Sequence, residues 1–181
     1  NHNTWVTALS IADPFFEDKP EDPHLLLSAS RDGLLKLWSV PDDAAKLKVV
    51  CKGHRDVVSS CRLSGNGQFA ISCSWDRSMK IWSLASESAE LIASGRAGAQ
   101  QNSVILSQDN RQIFTGGSEI HVWNALGENK FTLGSWCDDR HTDWISALEW
   151  VPSTSSKEAH EDRTCEFLSA SWDHKLKQTI P

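Results

Sequence analysis

Long apolar runs, helical stripes and closely paired cysteines are missing from this chain of 181 residues. No run of about 18 apolar residues occurs, so we expect no membrane-spanning helix. No charged segment followed by an apolar stretch indicates a secretory signal. No segment of about 12 or more residues shows a sustained helical stripe of apolar side chains. These absences predict an all-β chain without a membrane span.

The cysteines argue against both a zinc site and a disulfide framework. None of the five forms a C-x-x-C pair, the spacing that structural zinc sites commonly use. Their odd number and irregular spacing favour reduced, mostly buried thiols of a cytosolic protein. We therefore expect neither a metal nor a cofactor.

A repeated pattern of polar and apolar residues divides the chain. Trp38, Trp82 and Trp123 end three of the repeats, at intervals of 44 and 41 residues. A period of about 40–45 residues that ends in an alternating strand and a Trp is typical of a β-propeller, with one four-stranded blade per repeat. Short runs such as "FAISCS" and "QIFTGG" have the composition of half-buried strands. The predicted fold is an all-β WD-repeat β-propeller.

The repeats place four blades at residues 1–40, 41–84, 85–125 and 126–181. The fourth blade is incomplete, because Thr179 stands where its Trp is expected. Blades bury their faces only against neighbouring blades, so an open stack leaves apolar edges that must be closed or capped. We therefore expect the chain to supply about four blades of a longer ring.

Ser, His and Asp recur at matching places in the repeats, and two interpretations compete. A hydrolase would use Ser72 as nucleophile, His54 as base and Asp76 to orient the base. A structural brace would instead link His54 to Asp76 and to Ser72, whose hydroxyl would meet the indole N–H of Trp82.

Repetition favours the brace, because an enzyme needs one site whereas a propeller can use one brace per blade. The first repeat has the same set, and the fourth has three of its members: His2, Ser28, Asp32 and Trp38, then His141, Ser169 and Asp173. No G-x-S-x-G motif surrounds these serines. We therefore predict no catalytic residues, no enzyme activity and no small-molecule substrate.

The third repeat lacks the set. Its turn, "GGSEI", is about two residues shorter than the turn of "SWDRSMKI", and Glu119 is nearest to the Asp position. This blade is expected to be the least stable of the four.

Positive charge is concentrated in the first two blades, although the whole chain has a net charge of −6. Residues 28–82 hold nine Lys and Arg against five acids, and residues 83–181 hold eight against fourteen. Phosphate contacts of Lys and Arg dominate nucleic-acid affinity, so a compact basic patch suffices for RNA binding. The candidates are Arg31, Lys36, Lys52, Arg55, Arg77 and Lys80. The alternative is that these are solubilising surface charges.

Two tryptophans are candidates for a partner-binding rim. Trp75 and Trp172 immediately precede the turn aspartates, where side chains are expected to ring the opening of the propeller. Buried aromatic anchors are common at binding hot spots, and packing against the adjacent blade is the alternative. Trp5 and Trp144, each at the start of a strand, are expected to be structural.

Several segments together indicate a family. In order, they are "LLSASRDGLLKLW", "FAISCSWDRSMKIW", "SQDNRQIFTGG" and "HTDWISALEWVP". Over almost its whole length the chain resembles the receptors for activated protein kinase C, which are G-protein-β-like WD-repeat scaffolds with seven blades. The match falls on the first four blades.

The resemblance implies a non-enzymatic, cytoplasmic scaffold on the head of the small ribosomal subunit. It further implies contacts with ribosomal RNA and ribosomal proteins, and with signalling proteins such as protein kinase C. In the family a basic pair in "SASRDK" contacts the RNA backbone; Arg31 is kept here, but Gly33 replaces the Lys. The chain has no Tyr, so tyrosine phosphorylation described for the family cannot apply to these blades.

One alternative function is a cytosolic G-protein-β-like signalling adaptor that does not bind the ribosome. Such an adaptor would need a partner-binding coiled coil before the first blade, and the sequence given contains none.

Overall fold

The structure, a computed structural model, describes residues 1–12, 24–41, 44–86, 88–107, 111–124, 129–132, 141–151 and 167–179. Within these ranges every regular element is a β-strand, and the strands form four antiparallel sheets. Each sheet is a meander in which strands adjacent in sequence pair with one another. No helix capable of crossing a membrane occurs among the described residues. The predicted all-β fold of WD-repeat propeller blades is confirmed.

Each sheet is called a blade from here on. Blade one contains β1 (Val6–Ile11), β2 (His24–Ser30), β3 (Leu34–Val40) and β4 (Lys46–Lys52). Blade two contains β5 (Val58–Leu63), β6 (Phe69–Ser74), β7 (Ser78–Ser83) and β8 (Glu90–Arg96). Blade three contains β9 (Ser103–Leu106), β10 (Gln112–Gly116), β11 (Ile120–Asn124) and β12 (Asn129–Thr132). Blade four contains β13 (Ile145–Trp150), β14 (Phe167–Ser171) and β15 (Leu176–Thr179).

The sheets are offset from the sequence repeats by one strand. We placed residues 41–84 in the second repeat, but β4 within that range pairs with β3 of blade one. Likewise β8, which the repeat assigns to the third unit, pairs with β7. The loops that enter blades two and three therefore begin at the outer strand of the preceding blade, and they link the blades covalently.

The core lies between blades. The first cluster joins Leu35, Leu37 and Cys51 of blade one to Cys61 and Trp82 of blade two. Further clusters join blades two and three and blades three and four. Fully burying one Leu or Val side chain stabilises a fold by roughly 1.5–3 kcal/mol. The folded blades thus depend on their neighbours for most of their apolar burial.

Serine hydroxyls also connect the first strands of successive blades. Ser10 of blade one accepts a hydrogen bond of 2.9 Å from the backbone N–H of Leu63 in blade two. Ser103 of blade three accepts one of 3.0 Å from the N–H of Leu148 in blade four. These bonds satisfy backbone donors where no strand pairing is available, because adjacent blades are not hydrogen-bonded sheets.

The two terminal blades expose apolar side chains. Trp5 is 76% exposed and Ile11 is 64% exposed in blade one, and Leu176 is 74% exposed in blade four. The faces between blades bury residues of the same type, such as Val58 and Ile145. These exposures agree with the expectation that an open stack leaves apolar edges.

Candidate functional site

The turn end of the blades consists of the turns at residues 30–34, 74–78 and 171–175 and of residues 53–57, 97–102 and 141–144, which lead into β5, β9 and β13. Backbone hydrogen bonds hold turns and loops together at this end. The N–H of Arg31 donates to the carbonyl of Trp5, and the N–H of Trp75 donates to the carbonyl of Val57. The same bond recurs in blade four, from Trp172 to Trp144. The candidate residues outside the strands lie at this end: Arg31, Arg55, Trp75, Arg77 and Trp172.

In blade two, four side chains form one chain of hydrogen bonds. The indole N–H of Trp82 donates to Ser72 Oγ over 2.9 Å. Ser72 Oγ lies 2.8 Å from His54 Nε2, and His54 Nδ1 lies 3.0 Å from Asp76. A carboxylate can only accept, so Nδ1 carries the proton; in a neutral imidazole Nε2 then accepts from the Ser72 hydroxyl. The chain runs in one direction, from Trp82 to Asp76.

Burial and hydrogen bonding set the charge states of this brace. Burial lowers the pKa of His54 below its usual 6.5, against the opposing influence of Asp76. Burial alone would raise the pKa of Asp76, but hydrogen bonds from the Ser78 hydroxyl, the Arg55 N–H and His54 outweigh it and hold that pKa far below its usual 3.8. The brace is therefore a neutral imidazole on an ionised carboxylate.

The braces of blades one and four have the same geometry. His2 contacts Asp32 over 3.1 Å and Ser28 over 2.8 Å, and the indole N–H of Trp38 donates to Ser28 over 2.8 Å. In blade four, His141 lies 2.9 Å from Asp173 and 2.8 Å from Ser169. The residues that the repeat indicated are thus brought together in three blades.

This geometry does not suit a hydrolase. Ser72 is 0% exposed, and its hydroxyl is occupied by Trp82 and His54, so a substrate cannot reach it without opening the blade. The described residues also contain no cluster of His, Cys, Asp and Glu that could hold a metal ion. What the arrangement can do is satisfy buried polar groups and fix each turn to the loop that enters its blade.

Blade three uses a simpler link. The indole N–H of Trp123 donates to Thr115 Oγ1 over 2.8 Å, and no His occupies the third place. Residues 117–119 form the turn between the paired Gly116 and Ile120. The corresponding turn of blade two comprises residues 74–78. The turn is shorter by two residues, as predicted; the lower stability of this blade remains a prediction.

The predicted basic residues separate into two groups. Arg31, Lys52, Arg55 and Arg77 are exposed, and all belong to the turns, the entry loop or the adjoining strand end at the turn end of blades one and two. Lys80 lies within β7, where its ammonium donates to Ser94 Oγ over 3.2 Å.

Lys36 lies within a strand and is mostly buried. It is only 9% exposed, and its ammonium donates to the carbonyl of Asn1 over 2.5 Å. Lys36 lies in β3, a strand with a neighbour on each side, and this position buries most of its stem. The residue is therefore a poor candidate for a free phosphate-binding charge.

Arg96 was missed by sequence reasoning. It ends β8 and pairs opposite Ser78, just as Lys52 ends β4 and pairs opposite Leu34. An alignment of the last residues of β4 and β8 would have identified Arg96. The recurring motifs of the repeat, however, lie in the entry loops and turns and not in these outer strands.

The tryptophans are exposed to different degrees. Trp172 is 64% exposed and Trp75 is 40% exposed at the turn end. Trp5, predicted to be structural, is 76% exposed, and the guanidinium of Arg31 lies 5.7 Å from the centre of its ring. That distance is within the range of a cation–π contact, so Trp5 and Arg31 belong to one surface.

Comparison with known proteins agrees with the geometry. The family model described as "WD domain, G-beta repeat" matches residues 1–39 and 45–83. These two segments of the chain are WD repeats. The matched ranges correspond to the first two sequence repeats, each of which contains a complete brace.

Individual relatives are similar over nearly the whole chain. "Small ribosomal subunit protein RACK1" of Neurospora crassa is 33% identical over 180 residues, covering 97% of this chain and 51% of that protein. The protein of the same name in Drosophila melanogaster is 34% identical, with the same coverage. "MST50-interacting protein 11" of Pyricularia oryzae is 33% identical, again over 97% and 51%. The resemblance to the receptors for activated protein kinase C is confirmed, and the chain spans about half the length of these curated relatives.

Proposed function

We propose that this WD-repeat chain is part of a non-enzymatic scaffold that docks on the head of the small ribosomal subunit, in the cytoplasm. The observation that carries the proposal is the alignment over 97% of the chain with relatives named as small ribosomal subunit proteins. The proposed contacts are with ribosomal RNA and ribosomal proteins. The buried, repeated serines support the absence of enzyme activity.

The proposed docking surface is the basic turn end of blades one and two. Its members are the exposed cations Arg31, Lys52, Arg55 and Arg77, with Arg96 and Lys80 beside them. Two of the acids at this end, Asp32 and Asp76, are each engaged by a histidine and a backbone N–H. The cations are thus available to phosphates, and each contact would release counterions from the RNA.

Sedimentation of the tagged protein in sucrose gradients of a native lysate tests this proposal. The wild type is expected to migrate with small subunits at low salt and to dissociate progressively at moderate salt. The double variant Arg31→Asp/Arg55→Asp is expected to remain near the top of the gradient.

A matched control removes the effect of total charge. Lys46→Asp/Lys48→Asp changes the net charge by the same amount, but both residues are exposed within β4, away from the turns. This control is expected to sediment like the wild type. Equal loss in both double variants would indicate a general charge effect and would remove the assigned surface.

A signalling adaptor is the second candidate. It is favoured by relatives named "MST50-interacting protein 11" and "Cross-pathway control WD-repeat protein 2", and the exposed Trp75 and Trp172 would form its partner-binding rim. A signalling protein such as protein kinase C is the partner class that the family suggests. If the wild type stays at the top of the gradient at low salt while a kinase co-purifies in a Trp172-dependent manner, the adaptor replaces the ribosomal scaffold.

A further inference from the structure

An open groove of ≈ 750 Å³ lies at the turn end, beside blade two. Its lining includes three cations, Arg55, Arg77 and Arg96, and two aromatic side chains, Trp75 and Trp144. Among the residues that the structure describes, the acids in the lining are Asp56 and Asp76, and Asp76 is already engaged by His54. The charge balance of the groove therefore favours an anionic ligand.

Backbone bonds bring the three arginines to one turn. The N–H of Arg55 donates to Asp76 Oδ2 over 2.9 Å. The carbonyl of Arg77 accepts from Ala97 N–H over 2.8 Å, which fixes the residue that follows Arg96. These bonds fix the backbone positions of the three arginines relative to one another, although the residues belong to an entry loop, a turn and an outer strand.

Trp75 is held in place as an aromatic platform. Its indole N–H donates to Asn102 Oδ1 over 3.2 Å, and Asn102 in turn donates from Nδ2 to the Ile145 carbonyl over 3.0 Å. The residue nevertheless remains 40% exposed. An aromatic ring that is exposed and already oriented loses little entropy when a flat ligand stacks on it.

Arg77 occupies a backbone position that suits glycine better. Its φ is 70°, and the corresponding residue of blade one is Gly33, with a φ of 78°. A non-glycine residue in this region is strained. Blade four has a matching case in His174, with a φ of 63°, outside the groove lining. Glycine at position 77 would relieve this strain, so the guanidinium of Arg77 can be removed without a loss of backbone stability.

We propose that this groove binds an unpaired segment of RNA, with a base stacked on Trp75 and the neighbouring phosphates bound by Arg55, Arg77 and Arg96. Single-stranded nucleic acid is bound by this combination of aromatic platforms and a positively charged groove, and guanidinium forks match phosphate oxygens. The choice of RNA over other phosphate-bearing chains rests on the proposed function. The groove itself rests on the contacts above.

Fluorescence anisotropy of the full chain with a labelled ten-nucleotide single-stranded RNA tests the inference. Trp75→Leu is expected to weaken binding about tenfold, the size of effect seen when one stacked base loses its aromatic partner. Arg77→Gly is expected to weaken binding several-fold while its thermal unfolding temperature stays equal to or above that of the wild type. His174→Gly relieves the same backbone strain outside the groove and is expected to leave RNA affinity unchanged.

Other results would overturn the groove assignment. Equal affinity for a duplex RNA of the same length, or equal affinity of wild type, Trp75→Leu and Arg77→Gly, would exclude stacking in the groove. Binding of a phosphoserine peptide in place of the RNA would assign the groove to a protein partner and also refute the inference. A wild type that sediments with ribosomes but does not bind the single-stranded RNA would refute the groove alone. A wild type that binds the RNA but does not sediment with ribosomes would refute ribosome docking alone.

Discussion

Replacing the serine of the blade-two brace by alanine should destabilise the protein strongly. Ser72 is fully buried, and its hydroxyl contacts Trp82 Nε1 over 2.9 Å and His54 Nε2 over 2.8 Å. Ser72→Ala leaves both nitrogens in the core without a partner. A buried polar group left unsatisfied costs about 1–3 kcal/mol, so the two together should lower the free energy of unfolding by about 3 kcal/mol or more.

Blade three supplies the matched control. Thr115 is also fully buried, and within the described part of the chain its hydroxyl accepts from one side chain, the indole N–H of Trp123, over 2.8 Å. Thr115→Val preserves the shape of the side chain and removes that single partner, so the expected loss is about 1–2 kcal/mol. Urea unfolding followed by far-ultraviolet circular dichroism measures both, provided that the m-values agree. A loss for Ser72→Ala no larger than that for Thr115→Val would refute the reasoning that His54 and Trp82 depend on one hydroxyl.

Acid, glycine substitution and alkylation test other parts of the structure. His54 and Asp76 both have lowered pKa values in the folded protein, so the unfolded state binds more protons. The free energy of unfolding should therefore decrease as the pH drops through about 6.5, and decrease again as it drops through about 3.8. A free energy of unfolding that stays constant from about pH 7 to pH 5 would contradict this. Gly117→Ala should cost more than about 2 kcal/mol, since its Cβ would clash with the Gln100 carbonyl oxygen. Gly98→Ala, with no atom within 4 Å of its Cβ, should be nearly neutral in the same urea assay, and equal losses would exclude the clash. Burial raises the thiol pKa values of Cys51, Cys61 and Cys73 to about 12. Mass spectrometry after iodoacetamide treatment should therefore show modification of these three thiols only in urea, and their modification in the native protein would show that they are accessible.

The repeat made the fold and the braces predictable. A hydrogen-bonded set such as His54, Ser72, Asp76 and Trp82 requires fixed residue types at fixed strand positions, and its recurrence therefore leaves a regular trace in the sequence. The shortened turn of blade three was visible for the same reason. The division into blades was less accurate, because the repeat begins with the outer strand of the preceding sheet.

The surface was harder to predict, because it depends on which segments meet. Lys36 alternates with Leu35 and Leu37, which suggests a solvent-facing side chain, yet a middle strand of a blade can be covered on both sides. Arg96 and Trp144 enter the groove from different blades, and no local motif links them. Their convergence follows from the packing of the blades against one another rather than from spacing along the chain.

The salt dependence of binding to purified eukaryotic small ribosomal subunits tests whether the chain docks through the turn end of blades one and two. A phosphate contact contributes about 0.7–0.9 to the slope of log affinity against log salt concentration. We predict that Arg31→Ala and Arg55→Ala each weaken binding and each reduce that slope by about this amount, whereas Lys46→Ala changes neither the affinity nor the slope. An unchanged slope in both arginine variants, or no binding of the wild type at low salt, would contradict docking through the turn end of blades one and two.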